Sequence, residues 1–131
     1  MAKHNEIGEL GEKIAAKRLE NKGFKILDRN YRKKWGEIDI VAFKDNKIYF
    51  VEVKTVTRAS IDGKFPDELN NYRPEENMHP WKLQRLKRAL QSYILEKFKT
   101  RDPLWQFDLI CVFLDPLKKV AKIRYIRDLV L

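Results

Sequence analysis

Residues Gly36 to Thr55 read GEIDIVAFKDNKIYFVEVKT. Two β-rich runs, IDIVAF (Ile38 to Phe43) and KIYFVEVKTV (Lys47 to Val56), flank KDN, with the turn formers Asp45 and Asn46 between them. This is the pattern of a hairpin. Pairing Phe43 with Ile48 around a four-residue loop, or Lys44 with Lys47 around a two-residue loop, gives the same ladder. That ladder puts Asp39 directly opposite Glu52, where Cβ atoms lie about 4.5–5.5 Å apart and like charges destabilise. Lys54 lies two residues beyond Glu52 and shares its face.

Two facing carboxylates need a cation, a shared proton or solvent. Charges on a solvated strand face are common, so a surface ion-pair patch is one reading. Against it, Ile40, Val41, Val51 and Val53 make both faces of these strands apolar, which points to burial. A divalent metal would satisfy both acids, and an all-oxygen ligand set suits Mg²⁺ or Mn²⁺ rather than zinc. Lys54 would supply part of the charge, orient an attacking water and steady a phosphate.

The 131 residues allow one domain with one core, and 44% of them are apolar. The 28 Lys and Arg against 19 Asp and Glu leave a formal charge of +9, which favours a polyanionic partner. Cys111 is the one cysteine, so an internal disulfide and a multi-cysteine zinc site are both excluded. Its setting, LICVFL, is that of a buried thiol. MAKHNEIGEL has no apolar signal region, and no stretch approaches a membrane span, so a cytoplasmic location is expected, without a membrane partner.

Outward from the hairpin, Asn5 to Lys22 reads as a helix with Ile7, Leu10, Gly11, Ile14, Ala15 and Leu19 on one side and Gly23 as its stop. Phe24 to Arg32 reads as a strand. A polar segment, about 57–78, holds Gly63, Pro66, Pro74 and the acids Asp67, Glu68, Glu75 and Glu76. Loops of that length tend to be functional or mobile. A second helix spans about Pro80 to Lys99, with Leu83, Leu86, Ala89, Leu90, Tyr93 and Ile94 on its apolar face. Trp105 to Asp115 reads as a buried strand, and KVAKIRYIRDLVL adds a last one. The order αβββαβ(β) gives an α/β protein, a mixed sheet flanked by helices in a single domain over 1–131. An exposed edge strand near the C-terminus offers the geometry of a homodimer.

Lys82 to Arg101 carries seven basic residues (Lys82, Arg85, Lys87, Arg88, Lys97, Lys99, Arg101) and one acid, Glu96. Arg85, Arg88 and Lys99 project opposite the apolar stripe and Lys82 falls at its border. A run of this kind is usually a solvated face. Its lack of alternating acids favours a surface that tracks a phosphate backbone, with Lys82 reaching a phosphate near the carboxylates. Arg29, Arg32, Lys33 and Lys34 form a second basic cluster before the hairpin. Trp35 beside it reads first as a packed loop aromatic and second as a base-stacking one. His4 and His79 lack partners at ligand spacing.

Asp39 followed by Glu52-Val53-Lys54 resembles the PD-(D/E)xK nuclease superfamily. The ordered set of Gly8-x-x-Gly11-Glu12, Arg29-Asn30-Tyr31-Arg32, Gly36-Glu37-Ile38-Asp39, Phe50-Val51-Glu52-Val53-Lys54, Lys82 to Leu86 and Phe107-Asp108 is similar to the YraN-like family of small bacterial proteins read as endonucleases. The resemblance spans nearly the whole chain. It implies a restriction-endonuclease-like fold and a Mg²⁺- or Mn²⁺-dependent DNA endonuclease in which Glu12 joins Asp39 and Glu52 as catalytic and metal residues. The Val53 carbonyl would complete the shell and Lys54 would be catalytic. The nucleic-acid contacts would be Arg32, Lys33, Lys34, Lys82, Arg85 and Arg88, with DNA preferred to RNA and branched or damaged DNA as candidate substrates. Glu12 sits at the edge of the buried helix face, Glu9 points further to solvent, and Gly8 and Gly11 would allow close backbone approach to the sheet. Glu37 is a further ligand or a strand-entry charge. The stretch between Lys54 and Lys82 is about ten residues longer than the family pattern. The Q-x-x-x-Y signature of RecB-type nucleases is absent, since Gln91-Ser92-Tyr93 has the wrong spacing. The rival readings are a non-catalytic nucleic-acid-binding module on the same fold and a protein-interaction domain whose long loop docks a partner.

Overall fold

The structure, a computed structural model, describes residues 4–99 and 102–131. Arg101 of the basic run therefore lies outside the described residues. The elements run α1 (His4–Asn21), β1 (Lys25–Lys33), β2 (Gly36–Lys44), β3 (Lys47–Thr57), two 3-10 turns (Asp67–Asn71 and Pro74–Asn77), α2 (Pro80–Lys97), β4 (Leu104–Asp115) and β5 (Val120–Ile126). The sheet order is β1-β2-β3-β4-β5. Only β3 and β4 are parallel, because α2 and its approach carry the chain back between them, as a parallel pair requires. This is the α/β mixed sheet with helices on both faces that the order of elements predicts. Among the described residues no helix is long and apolar enough to cross a membrane.

The β2–β3 register is the expected one, Phe43 with Ile48 and Lys44 with Lys47. The loop has two residues, and Asp45 and Asn46 both take positive φ, 50° and 62°. That is the geometry whose twist matches a hairpin, and Asp and Asn tolerate it better than most side chains. Gly23, at φ 91°, ends α1 as expected.

Alternation in the strands sorts the core into layers. Odd residues of β3 and even residues of β4 (Val51, Ile110, Val112) meet Ala15, Ala16 and Leu19 of α1. Even residues of β3 and odd residues of β4 (Ile48, Phe50, Phe107) meet Leu86, Ala89, Leu90 and Tyr93 of α2. Further along that second face, Val56, Cys111 and Phe113 are covered by Leu69, Phe65 and Tyr72 of the 57–78 segment. Cys111 is a buried free thiol, as its apolar setting implies.

The long polar segment is not structureless. Besides its two 3-10 turns it has a small bridge between Ile61 and Lys64, and its ends are fastened to the sheet. Asp115 accepts from the Ser60 backbone N–H (2.8 Å) and hydroxyl (2.7 Å). The Arg124 guanidinium of β5 donates to the carbonyls of Tyr72 and Leu69, and Lys122 donates to Asn70 Oδ1 (3.2 Å). Sequence patterning missed these ties, since they link positions that are far apart in the chain.

Candidate functional site

The close approach expected of the first helix is real at one glycine and not at the other. A Cβ on Gly11 would lie 1.8 Å from Thr55 Oγ1, whereas one on Gly8 would meet nothing within 4 Å. Gly11 lets α1 rest against β3, and Glu12, next in the chain, is brought to the sheet. On the opposite face a Cβ on Gly36 would lie 2.0 Å from the Arg85 carbonyl oxygen. So α2 also rests almost on the backbone, at the start of β2. The two contacts bring the two helices close to the strands that carry Asp39 and Glu52.

Regular pairing of β2 with β3 stops at Ile40 and Val51. Asp39 and Glu52 are the next residues on each strand, at the point where the ladder ends. Asp39 Oδ2 accepts the Val53 backbone N–H at 2.8 Å, so this side chain replaces a strand partner. Glu12 reaches Asp39 from α1, and a protonated Glu12 donates to it. Glu52 lies on the α2 face, 7% exposed, and its Oε1 is 2.9 Å from Lys82 Nζ.

Asp39 acts on both glutamates. Burial and the neighbouring Asp39 push Glu12 up to about 7, against the pull of Arg29 and Arg32. Burial, then Asp39, pushes Glu52 up to about 7, against Lys82. Burial raises Asp39 as well, although the Val53 N–H and Glu12 hold it down. Lys82 is held more firmly protonated by Glu52, Asp39 and Glu37 despite the cost of its own burial. The lysine and the glutamate do attract, but burial and the Asp39 charge outweigh that attraction at the glutamate.

The expected partner of the acids was Lys54. It does share the face of Glu52, but its ammonium lies 5.7 Å over the Tyr72 ring, and the described ion pair of Glu52 is with Lys82. β3 explains this: Glu52 and Lys54 occupy the notch between α2, which covers Ile48 and Phe50, and the long segment, which covers Val56. The helix supplies one neighbour and the segment the other. Glu37 is exposed and lines a cavity with Glu52, Trp81, Lys82, Arg85 and Leu86.

Among the described residues, no group of three or more His, Cys, Asp or Glu side chains stands close enough to hold a metal ion by itself. What the site offers is Asp39 beside Glu52 and a third acid, Glu12, at Asp39. All are oxygen donors, a chemistry that suits Mg²⁺ or Mn²⁺ rather than zinc, since such ions keep several waters and take one or two carboxylates.

Of the basic residues, Lys82 and Arg85 line the cavity beside Glu52, and Arg29 and Arg32 act on Glu12. Arg32, Lys33, Lys34, Arg85 and Arg88 are exposed. Arg85 Nη1 donates to the Lys34 carbonyl oxygen (3.4 Å), which joins the β1–β2 turn to α2. Lys33 pairs with Glu96 at 3.4 Å, an exposed contact of small energetic weight. Trp35 Nε1 donates to Ser92 Oγ (3.1 Å), a loop aromatic docked on α2. Sequence reasoning missed His79 and Trp81. His79 Nδ1 accepts the Trp81 N–H (3.3 Å) and caps α2, with Pro80 in the first turn. Trp81 is 57% exposed. Its signal was legible: a tryptophan outside the apolar stripe of its own helix.

The fold and the notch define an α/β protein in which Asp39 stands between Glu12 of α1 and the buried Glu52 of β3, where the pairing of the central hairpin ends. The profile of the uncharacterised protein family UPF0102 matches residues 11–112, and the chain belongs to that family, the YraN-like family its motifs resemble. A UPF0102 protein of Caldanaerobacter subterraneus subsp. tengcongensis is 42% identical over 113 residues, 86% of this chain and 83% of its own length. One from Flavobacterium johnsoniae is 40% identical over 114 residues, 86% of this chain and 85% of its own. One from Flavobacterium psychrophilum is 35% identical over 128 residues, 98% of this chain and 96% of its own.

Proposed function

We propose that this protein is a metal-dependent nuclease that hydrolyses phosphodiester bonds in DNA. The observation that carries the reading is Asp39 of β2 acting on both the buried Glu52 of β3 and Glu12 of α1, with Lys82 and Arg85 lining the adjoining cavity. Acids so placed oppose folding unless a cation or a proton relieves them, and perturbed carboxyls in a cleft are common at functional sites. Asp39 and Glu52 would hold Mg²⁺ or Mn²⁺, with the Val53 carbonyl completing the protein's share and Glu12 joining directly or through water. An ion there supplies a water of lowered pKa and stabilises the charge that develops on the phosphate. Lys54, now over the Tyr72 ring, would orient the attacking water. Lys82, relieved of Glu52, holds a phosphate oxygen. Arg32, Lys33, Lys34, Arg85 and Arg88 hold the backbone on either side.

The test is calorimetric titration of Mn²⁺ into the wild type and Asp39→Asn, followed by cleavage assays on single-stranded, duplex and four-way-junction DNA. The expected result is metal binding that Asp39→Asn loses and cleavage of at least one substrate. Asp39→Ala and Lys54→Ala are expected to abolish cleavage and keep DNA binding; wild-type cutting by both would sink the proposal. A second reading, a nucleic-acid-binding module without catalysis, draws on Lys82, which already serves Glu52 as a built-in cation. It requires salt-sensitive binding and no Mn²⁺-dependent turnover.

A further inference from the structure

The cavity beside Glu52 has a volume of about 350 Å³ and is lined by Glu37, Glu52, Trp81, Lys82, Arg85 and Leu86. We infer that it seats one unpaired nucleotide, its base stacked on Trp81, so that the preferred substrate is single-stranded or locally unpaired DNA. The inference rests on the reading of Glu52 as part of a phosphodiester site and adds the substrate class.

The three tryptophans differ in what holds them. Trp35 is hydrogen-bonded to Ser92, and Trp105 packs edge-on against Phe50, with ring centroids 6.0 Å apart. Trp81 projects from the first turn of α2, and its aromatic neighbour is the capping His79, with ring centroids 5.8 Å apart. The core does not need this ring, and it stands in the same cavity as the two cations and the two acids. Lys82, next in the chain, touches Glu52 at 2.9 Å. Arg85, one turn further along, lines the same wall. A flat apolar surface, two cations and a carboxylate within one small cavity match the parts of a nucleotide: base, phosphate and the scissile linkage. The indole needs an uncovered base face. In a duplex those faces are covered by neighbouring bases, and only edges show in the grooves. A strand with free bases offers them at once. The short lining also limits the seat to a single base.

Fluorescence anisotropy of fluorescein-labelled oligothymidylate, and of a duplex of the same length, tests this in EDTA. Trp81→Ala is expected to weaken single-strand binding by about 5- to 150-fold, the equivalent of ~1–3 kcal/mol for one stacked base. Duplex binding is expected to stay within about twofold, because phosphate contacts carry it. Trp81→Phe should restore most of the loss. Replacing the bases of the single strand by abasic positions should weaken the wild type and leave Trp81→Ala unchanged. Equal losses on both nucleic acids, no loss on either, or a wild type that does not bind the single strand would each overturn the inference. The measurement uses neither metal nor turnover. Failure of the nuclease reading shows separately, as absent Mn²⁺-dependent cleavage with Trp81-dependent binding intact.

Discussion

Replacing Glu52 by Gln should make the metal-free protein more stable at pH 8. The Glu52 carboxyl is nearly isosteric with the amide, is 7% exposed, and has its pKa raised from 4.5 to about 7 by burial and by Asp39. The sign follows from proton binding. Because the folded pKa is raised, the folded state holds the proton more tightly than the unfolded chain. Its stabilising contribution is fully present below pH 4.5 and is lost as pH rises through about 7. A shift of that size corresponds to about 3 kcal/mol between the two limits. Glutamine carries no charge and escapes the loss, while its amide oxygen still accepts from Lys82. Lys82 is half exposed, so water continues to solvate its ammonium. Urea unfolding in EDTA at pH 5 and pH 8 provides the measurement. Glu52→Gln should exceed the wild type by about 1–3 kcal/mol at pH 8, with most of the gap gone at pH 5. Saturating Mn²⁺ should raise the wild type at pH 8 and leave the variant nearly unmoved. A variant less stable than the wild type at pH 8 would refute the reasoning, since the Lys82 pair would then outweigh burial and Asp39.

Two further perturbations probe how the site is held. Gly11→Ala would drive its Cβ into Thr55 Oγ1 and should cost about 1–3 kcal/mol in thermal unfolding; Thr55→Ala in the same chain should recover part of that loss, and strictly additive losses would count against the contact. Arg124→Met removes both donors to the Leu69 and Tyr72 carbonyls, so limited proteolysis between about residues 58 and 78 should accelerate while the unfolding midpoint moves little; unchanged cleavage kinetics would mean that other contacts fasten the segment.

The hairpin was legible because its signals are local. Asp45-Asn46 specifies a two-residue turn, and the turn together with the alternation fixes the register down to the last paired residues. The helices were legible from their stripes and stops. Gly8 looked as useful as Gly11, since spacing cannot tell which glycine meets a side chain of the sheet. Lys54 looked like the partner of Glu52 for a similar reason. Alternation puts both on one face, but whether a lysine turns towards an acid or over a ring depends on what covers that face. Here Tyr72 does, carried by a segment whose residues show no periodicity to read.

The sequence by itself determined which residues share a face, where the chain turns, and that Asp39 and Glu52 follow the last pair of a ladder. Those properties follow from the two-residue and 3.6-residue repeats and from turn stereochemistry, which act over a few residues. Only the tertiary structure decided that Lys82 meets Glu52, that Glu12 meets Asp39, and that Trp81 opens into the same cavity. These pairings depend on how closely α1 and α2 approach the sheet, an approach that Gly11 and Gly36 permit and that packing across distant parts of the chain completes.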